Sequence, residues 1–154
     1  MTDAVHQHPD LPFSVSCDQA RFEMDRVFHW LSVEAYWSKG LPRDIFDRSF
    51  KNAIAFGLFH ETGRQVGVAR VITDKATFAY LADVYMDPDY RGQGLAKWLM
   101  ELVIAHSELQ GLRRMMLATS DMHALYRQFG FEDARGSKLL MEIIKPDIYV
   151  HKSE

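Results

Sequence analysis

The sequence predicts one domain of the mixed α+β class, in which a twisted central sheet carries helices on both faces. Strand-like and helix-like segments follow each other in the order β-α-α-β-β-β-α-β-α-β, and a run of strands that then alternates with helices is typical of such a sheet. The chain has 154 residues, of which 47% are hydrophobic and 25% charged, as expected for one folded domain with its own core. No repeat or linker divides it, so the domain is expected to span residues 13–154.

The N-terminal part of the chain predicts a tail, a strand and two helices. Residues 1–12 are expected to form a flexible tail, and residues 13–17 alternate like a short strand. Apolar residues then recur at helical spacing, which predicts a helix that ends before Gly40 and Pro42; its stripe is Met24, Val27, Phe28, Leu31 and Ala35. A second helix is expected from residue 42 or 43 to about residue 51.

The remaining apolar runs predict the rest of the sheet. Two strands are joined by the hairpin signal Glu61-Thr62-Gly63-Arg64 and a third long strand follows; these strands are residues 53–59, 66–72 and 78–86. An amphipathic helix is expected over about 93–108, and a short helix capped by Ser120 or Asp121 ends at Gly130. Two more strands are expected, at residues 115–118 and 138–144.

Composition excludes several classes of function. The net charge of −3 and scattered basic residues give no reason to expect a nucleic-acid partner. The chain holds no apolar run near the roughly 20 residues of a membrane span and no N-terminal secretory signal, so a cytoplasmic protein without a membrane partner is expected. The seven histidines show no metal-ligand spacing, and the single cysteine, Cys17, is read as a small strand residue in a reducing compartment.

The most informative segment is a strand-to-helix corner that contains two glycines. Gly92 and Gly94 allow positive φ and close approach of a ligand to the backbone. The free N–H groups of the next helical turn and the helix dipole would then form an anion site for a phosphate. A P-loop would need a Lys-Ser or Lys-Thr here, and the dinucleotide fingerprint would need glycine in place of Lys97. A glycine-rich turn without any ligand is the alternative.

Two segments resemble the GNAT superfamily of N-acetyltransferases, in its small single-domain bacterial form. Arg91-Gly92-Gln93-Gly94-Leu95-Ala96 matches the signature Arg/Gln-x-x-Gly-x-Gly/Ala, whose loop holds the pyrophosphate of acetyl-CoA in that family. Residues 117–131 resemble a second hallmark, a strand, a short helix with Leu125-Tyr126, and then Gly130-Phe131. The resemblance covers nearly the whole chain and implies a mostly antiparallel sheet and acetyl-CoA as co-substrate, without a metal.

The resemblance also implies roles for residues around the thioester. Tyr126 is similar to the family tyrosine that protonates the departing thiolate, although it could simply pack between helix and sheet. The family generally offers a backbone N–H to the oxyanion at the end of the strand before the glycines, here around Tyr85 or Met86, with Val84 beside them. A bulge there would leave that N–H unpaired and separate two strands so that pantetheine can enter.

Asp83 is the candidate base. By alternation it shares a strand face with Tyr85, while Val84 and Met86 take the other face. A carboxylate among apolar neighbours is unusual, and burial would raise its pKa towards a useful value. The alternatives are a surface-facing aspartate or one that only binds a cationic substrate.

Further contacts to the co-substrate are expected around the glycines. The main chain of residues 91–96 should contact the phosphates, with Arg91 and Lys97 as nearby cations that could instead be solvated surface charges. Thr119 stands where the family often has an asparagine on the pantetheine arm, and its hydroxyl can still bond an amide.

The acceptor region of the family lies in the first two helices and their loop. Here that region contains Tyr36 and Trp37, which could line an amine pocket through cation–π contact or could be core or dimer-interface aromatics.

The leading hypothesis is an acetyl-CoA-dependent N-acetyltransferase acting on a small-molecule or protein amine by direct attack in a ternary complex. A homodimer is a further partner to expect, since dimers are common among similar proteins. The alternatives are a non-catalytic acyl-CoA-binding sensor and a structural protein without a nucleotide ligand.

Overall fold

A computed structural model describes residues 4–134 and 138–150 of the chain. Its centre is a six-stranded sheet in which the strands follow each other in sequence order. All neighbouring strands are antiparallel except the last pair, which is parallel. The strands are β1 (His6–Gln7), β2 (Phe13–Ser16), β3 (Ile54–His60), β4 (Gln65–Thr73), β5 (Phe78–Met86) and β6 (Arg114–Leu117). The predicted mixed α+β class with a mostly antiparallel sheet is therefore confirmed.

Four α-helices within the described residues cover the sheet. They are α1 (Met24–His29), α2 (Arg43–Lys51), α3 (Leu95–Ala105) and α4 (His123–Arg127). The first predicted helix is not a uniform α-helix, because α1 continues as a π-helical segment, Trp30–Glu34, before a 3₁₀ turn at Tyr36–Ser38. The Ser32 hydroxyl donates to the carbonyl of Phe28 at 2.6 Å in this widened segment.

The sheet is buried on both faces by two groups of apolar side chains. One group packs β3, β4 and β5 against α3 and α4, and it includes Phe56, Leu58 and Leu99. The other group packs the opposite face against α1 and α2, and it includes Phe46 and Phe50. Because both faces are covered, the central strands β3 and β4 read as continuous apolar runs in the sequence.

A bulge in β5 decides which side chains face which layer. Arg70 pairs with Asp83, but its neighbour Val71 pairs with Leu81, so Ala82 is the extra residue. Before the bulge, Leu81 packs in the layer of α3; after it, Tyr85 packs in the layer of α1. The bulge expected near Tyr85 or Met86 therefore lies at Ala82, and it turns odd-numbered residues towards the first two helices.

Both ends of the chain differ from the sequence prediction. Within the segment predicted as a tail, β1 pairs with β2, and the His8 ring packs edge-on against Trp98 with ring centroids 4.7 Å apart. The predicted last strand over residues 138–144 is not formed, and these residues are exposed coil and turn. The chain then runs towards the loop between α1 and α2, where Tyr149 lies against Gly40.

Candidate active site

The site is built around a cleft where β5 and β6 part. Their parallel pairing begins at Phe78 with Arg114 and ends at Leu81 with Leu117. Within the described part of the chain, residues 82–86 of β5 therefore have no strand partner on the β6 side, while residues 83–86 remain paired with β4 on the other side. This part of β5 exposes a row of main-chain groups to the cleft.

The hydrogen-bond pattern identifies which main-chain groups point into the cleft. The N–H of Asp87 donates to the carbonyl of Val66 on β4 at 2.8 Å. Because alternate residues of an antiparallel strand point their N–H groups to opposite sides, those of Val84 and Met86 point away from β4, towards the cleft. Of the two residues expected to hold an oxyanion, Met86 has the suitable direction and Tyr85 does not.

The glycine loop, residues 91–96, lies at the end of β5 and leads into α3. Gly92 has φ of 83° and Gly94 has φ of 79°, both in the left-handed region that favours glycine. A Cβ added to either glycine would meet no atom within 4 Å, so the space beside the loop is open. Gly94 is the N-cap of α3, and the first intrahelical bond in that turn runs from Trp98 N–H to the Gly94 carbonyl.

The first turn of α3 thus offers its own donors to this open space. The N–H groups of Leu95, Ala96 and Lys97 precede the first intrahelical bond. Leu95 is buried in the core and fixes the helix start, while Lys97 is exposed beside it. Main-chain donors next to a lysine and a helix N-terminus form a suitable site for a pyrophosphate.

Two side chains of the loop fix it to the preceding segment. Arg91 lies over the Tyr85 ring, and its Nε donates to the carbonyl of Met86 at 3.0 Å. Gln93 donates through Nε2 to the carbonyl of Tyr90 at 3.3 Å. The predicted cation Arg91 is therefore bound to the end of β5, and it can hold the loop against that strand.

Tyr126 lies on α4, in the core layer that also contains Leu81 and Met86 of β5. Burial is the main cause that raises the pKa of its phenol above the ordinary value, and nearby Asp121 and Tyr36 add to it. A phenol with a raised pKa keeps its proton at neutral pH, as a proton donor must.

The start of α4 is held by Thr119. Its hydroxyl oxygen accepts the N–H of Met122, the N-cap residue of α4, at 3.0 Å. Among the described side chains, none makes a capping bond to α4, so the cap expected at Ser120 or Asp121 is not formed. Thr119 lies between β6 and α4, where its hydroxyl hydrogen can still bond a ligand amide.

Asp83 is buried and both of its oxygens accept hydrogen bonds. Oδ2 accepts from Nε of Arg70 at 2.6 Å, and Oδ1 accepts from the indole N–H of Trp37 at 2.7 Å. The Asp83 side chain is 6% exposed and that of Arg70 is 15% exposed, so the ion pair is largely shielded from water. The structure thus brings Asp83 and Trp37, two of the predicted site residues, into direct contact.

Tyr36 connects two loops at the edge of the site. Its hydroxyl is 2.8 Å from that of Ser120, which joins the loop before α2 to the loop before α4. The rings of Tyr36 and Trp37 meet edge-on with centroids 5.1 Å apart, and both side chains are exposed. The two aromatics thus line the surface between Asp83 and the N-terminal end of α4.

Sequence reasoning missed the residues that support this site. Arg70 could have been found only from the cross-strand register with Asp83, which depends on the bulge at Ala82. Arg26 forms an ion pair with Asp87, and its Nε also donates to the carbonyl of Gln65 at 2.9 Å. This link ties α1 to the end of β5, and no local motif signals it.

A metal-binding cluster and a membrane-spanning helix are not found in the described residues. Across residues 4–134 and 138–150, no three histidine, cysteine or acidic side chains are grouped so as to hold a metal ion. Within the same ranges, no helix has the length and apolar character needed to cross a bilayer.

Comparisons with known proteins agree with this geometry. The sequence profile of the Acetyltransferase (GNAT) family matches residues 24–131. A protein of Gibberella zeae, named provisionally as an acetyltransferase, is 34% identical over 145 residues, covering 80% of this chain and 81% of its own length.

Solved structures share the fold. A crystal structure from Xanthomonas campestris, described provisionally as an acetyltransferase of the GNAT family, is 42% identical with a TM-score of 0.88, and the match covers 95% of this chain and 99% of the other. A GNAT acetyltransferase from Elizabethkingia anophelis, solved with acetyl-CoA bound, has the same fold with a TM-score of 0.59 and 11% identity over 79% of this chain and 76% of its own. The chain is therefore a member of the GNAT family of acetyltransferases.

Proposed function

We propose that this protein transfers the acetyl group of acetyl-CoA to a primary amine by direct attack within a ternary complex. The observation that carries the proposal is the cleft beyond Leu81 and Leu117, with the glycine loop at the end of the same strand. A thioester arm can lie along free β5 main chain while its pyrophosphate meets the donors of the loop. The acetyl-CoA bound to a protein of the same fold supports this choice of donor.

The oxyanion of the tetrahedral intermediate is assigned to the Met86 N–H. When the amine nitrogen bonds to the thioester carbon, the carbonyl oxygen gains negative charge, and a fixed donor stabilises that charge strongly in a dry site. The direction of this N–H, opposite to the bonds with β4, supports the assignment.

The proton for the leaving thiolate is assigned to Tyr126. As the C–S bond breaks, the sulfur takes a proton from the phenol, which bulk water later restores. The buried, protonated phenol on α4 supports this role.

Asp83 is assigned to the acceptor end. An alkylammonium must lose a proton before it can attack, and the nitrogen loses a second proton after attack to leave a neutral amide. The first proton goes to bulk water before the amine binds. Two lone-pair positions on the Asp83 carboxylate remain after its bonds to Arg70 and Trp37, and a water bound there would pass the second proton to that carboxylate. Trp37 and Tyr36 would offer ring faces to the cationic acceptor, which is either a small molecule or a protein amine.

The experiment is thiol release from acetyl-CoA with a panel of primary amines, with and without each variant. Tyr126→Phe should lower kcat by about 100-fold, the lower end of general acid effects, with little change in the KM for acetyl-CoA. Tyr80→Phe, at a half-buried tyrosine on β5, is the matched control and should keep its activity.

Binding of CoA without turnover across the panel, and no effect of Tyr126→Phe, would favour the acyl-CoA sensor. Absence of any CoA binding would refute both the acetyltransferase and the sensor hypotheses and would leave a structural role.

A further inference from the structure

The proposed oxyanion donor lies at the end of a strand that is held on one side only. Met86 is the last residue of β5, and among the described residues the final part of this strand, residues 83–86, pairs with β4 alone. Just beyond it, the Asp87 N–H donates to the Val66 carbonyl at 2.8 Å. A strand end with few partners opens more readily than the middle of a sheet. An oxyanion donor is effective only when its direction is fixed before the reaction.

The β4 side of this strand end is irregular as well. Gly67 and Gln65 pair with consecutive residues of β3, so Val66 between them is the extra residue of a bulge. The carbonyl that receives the Asp87 N–H therefore belongs to a bulged residue. Gly67 stands opposite Met86, and a Cβ on this glycine would be only 2.6 Å from the Met86 sulfur. The position of Met86 thus depends on more than regular pairing between strands.

One arginine side chain of α1 joins the two strand ends. Nε of Arg26 donates to the carbonyl of Gln65, the first residue of β4, at 2.9 Å, and Nη2 pairs with Oδ2 of Asp87. The guanidinium also lies over the Trp30 ring, 4.9 Å from its centroid. The side chains of Arg26 and Asp87 are 20% and 11% exposed, so water screens this pair little. A planar guanidinium fixes the separation of the two acceptors that it binds, which a lysine could not do.

Both acceptors of Arg26 are fixed in turn. Oδ1 of Asp87 accepts an N–H of the 3₁₀ turn that follows β5, at 2.9 Å. The buried Gln65 exchanges two hydrogen bonds with Glu23, accepting the Glu23 N–H at 2.8 Å and donating its own N–H to the carboxylate at 2.6 Å. Nε2 of Gln65 donates to the carbonyl of Gly67 at 3.1 Å. The network therefore reaches from the start of α1 to the residue opposite the oxyanion donor.

We propose that Arg26 is a positioning residue for acetyl transfer, because its link between Gln65 and Asp87 fixes the direction of the Met86 N–H. Arg26 acts through Asp87 and not on the thioester, and its role rests on the proposed function of Met86. From the opposite side, Nε of Arg91 donates to the Met86 carbonyl at 3.0 Å. Without Arg26 the strand end is free to turn, and the N–H no longer points steadily at the oxygen that gains charge.

The carbonyl stretch of bound acetyl-CoA tests this role without an acceptor amine. A hydrogen bond to the thioester oxygen weakens the C=O bond and lowers its stretching frequency. Infrared difference spectra of acetyl-CoA with and without ¹³C at this carbonyl should show a downshift when the wild-type protein binds it. Arg26→Met keeps an apolar stem on Trp30 but removes both hydrogen bonds, so it should lose most of the downshift while its Kd for acetyl-CoA stays the same.

Kinetics should show the same separation of binding from chemistry. With an amine that is turned over, Arg26→Met should lower kcat about tenfold and leave the KM for acetyl-CoA unchanged. Complete removal of an oxyanion donor costs roughly 100- to 1000-fold in kcat, and a donor that is present but loosely held should cost less. A rise in KM with unchanged kcat would contradict the proposal, because it would mean that Arg26 serves binding alone.

Arg43→Met is the matched control for the infrared measurement. Arg43 on α2 also donates to two acceptors, the carboxylates of Asp25 and Asp47, and it also lies over an aromatic ring, that of Phe28. These partners belong to the helices and not to β4 or β5. Arg43→Met should therefore keep the wild-type downshift.

A double variant separates positioning from stability. Arg26→Met leaves the Asp87 carboxylate without its cation, which should lower the Tm, and Arg26→Met/Asp87→Asn should recover the Tm because no unpaired charge remains. The double variant should still lack the downshift, since the link to Gln65 is still absent.

The proposed function and the role of Arg26 fail in different ways. No downshift in the wild-type protein would refute the assignment of Met86 and the role of Arg26 with it. A wild-type downshift that survives Arg26→Met, or that returns with the Tm in the double variant, would refute the role of Arg26 alone.

Discussion

Replacement of Gly94 by alanine separates the backbone requirement of the glycine loop from its role in ligand binding. Gly94 has φ of 79°, and a Cβ there meets no atom within 4 Å, so the substitution adds backbone strain without a clash. An L-residue in this left-handed conformation costs roughly 1–2 kcal/mol. Gly63, in the turn between β3 and β4, has φ of 92° and the same open surroundings, which makes Gly63→Ala the matched control.

The two variants should lose the same stability but differ in affinity for coenzyme A. Each should reduce the free energy of unfolding by about 1 kcal/mol, measured by urea denaturation. Only Gly94→Ala places a methyl group in the open space beside the donors of α3, where it would obstruct a bound phosphate. Loss of one hydrogen bond to a charged group costs roughly 1.5–3 kcal/mol, or about 10- to 100-fold in Kd.

Isothermal calorimetry with coenzyme A gives the affinity of each variant. We expect Gly63→Ala to bind like the wild type and Gly94→Ala to bind at least about tenfold more weakly. Equal affinity of the two variants would refute the assignment of the glycine loop to the pyrophosphate, since the strain is the same in both.

Three further outcomes follow from the side chains of the site and core. Asp83→Asn keeps an acceptor for Trp37 but leaves the Arg70 charge unpaired, so it should destabilise the fold by about 3 kcal/mol in urea denaturation. It should also lower kcat by about 100-fold, whereas an unchanged kcat would exclude Asp83 as proton acceptor. Arg70→Met should restore stability to Asp83→Asn in the double variant, because no buried charge then remains unpaired; additive losses in urea denaturation would contradict this. Burial raises the pKa of the Cys17 thiol from 9.0 to about 11, so the contribution of this thiol to stability is complete below pH 9 and is lost as pH rises towards 11. Cys17→Ala should therefore flatten the curve of stability against pH between pH 9 and about 11, and an unchanged slope would contradict a buried, neutral Cys17.

Local patterns were sufficient for strands β2 to β6, the glycine loop and the face that Asp83 shares with Tyr85. Period-two alternation sets which side of a strand a residue faces, and it holds for residues 83–86 because they all follow the bulge. Glycines at a strand-to-helix corner have few conformational roles, so Gly92 and Gly94 could be assigned to positive φ from the sequence.

The features that escaped prediction depend on contacts between distant segments. The position of the bulge at Ala82 follows from how β5 fits β4, and it brings Arg70 opposite Asp83. The apolar pattern of residues 138–144 signals a strand, but a strand also needs an edge to pair with, and its own chain turns away from β6. A pattern predicts which conformation a segment favours and leaves open which partner completes it.

Amide chemical shifts during a coenzyme A titration test the account most directly. We predict that in ¹H–¹⁵N spectra the amides of Gly94, Leu95 and Ala96 shift with both coenzyme A and its nucleotide fragment. Those of Val84 and Met86 should shift only when the pantetheine arm is present. Shifts confined to other surfaces, or none at saturating coenzyme A, would contradict the assignment of the glycine loop and the β5–β6 cleft as the acetyl-CoA site.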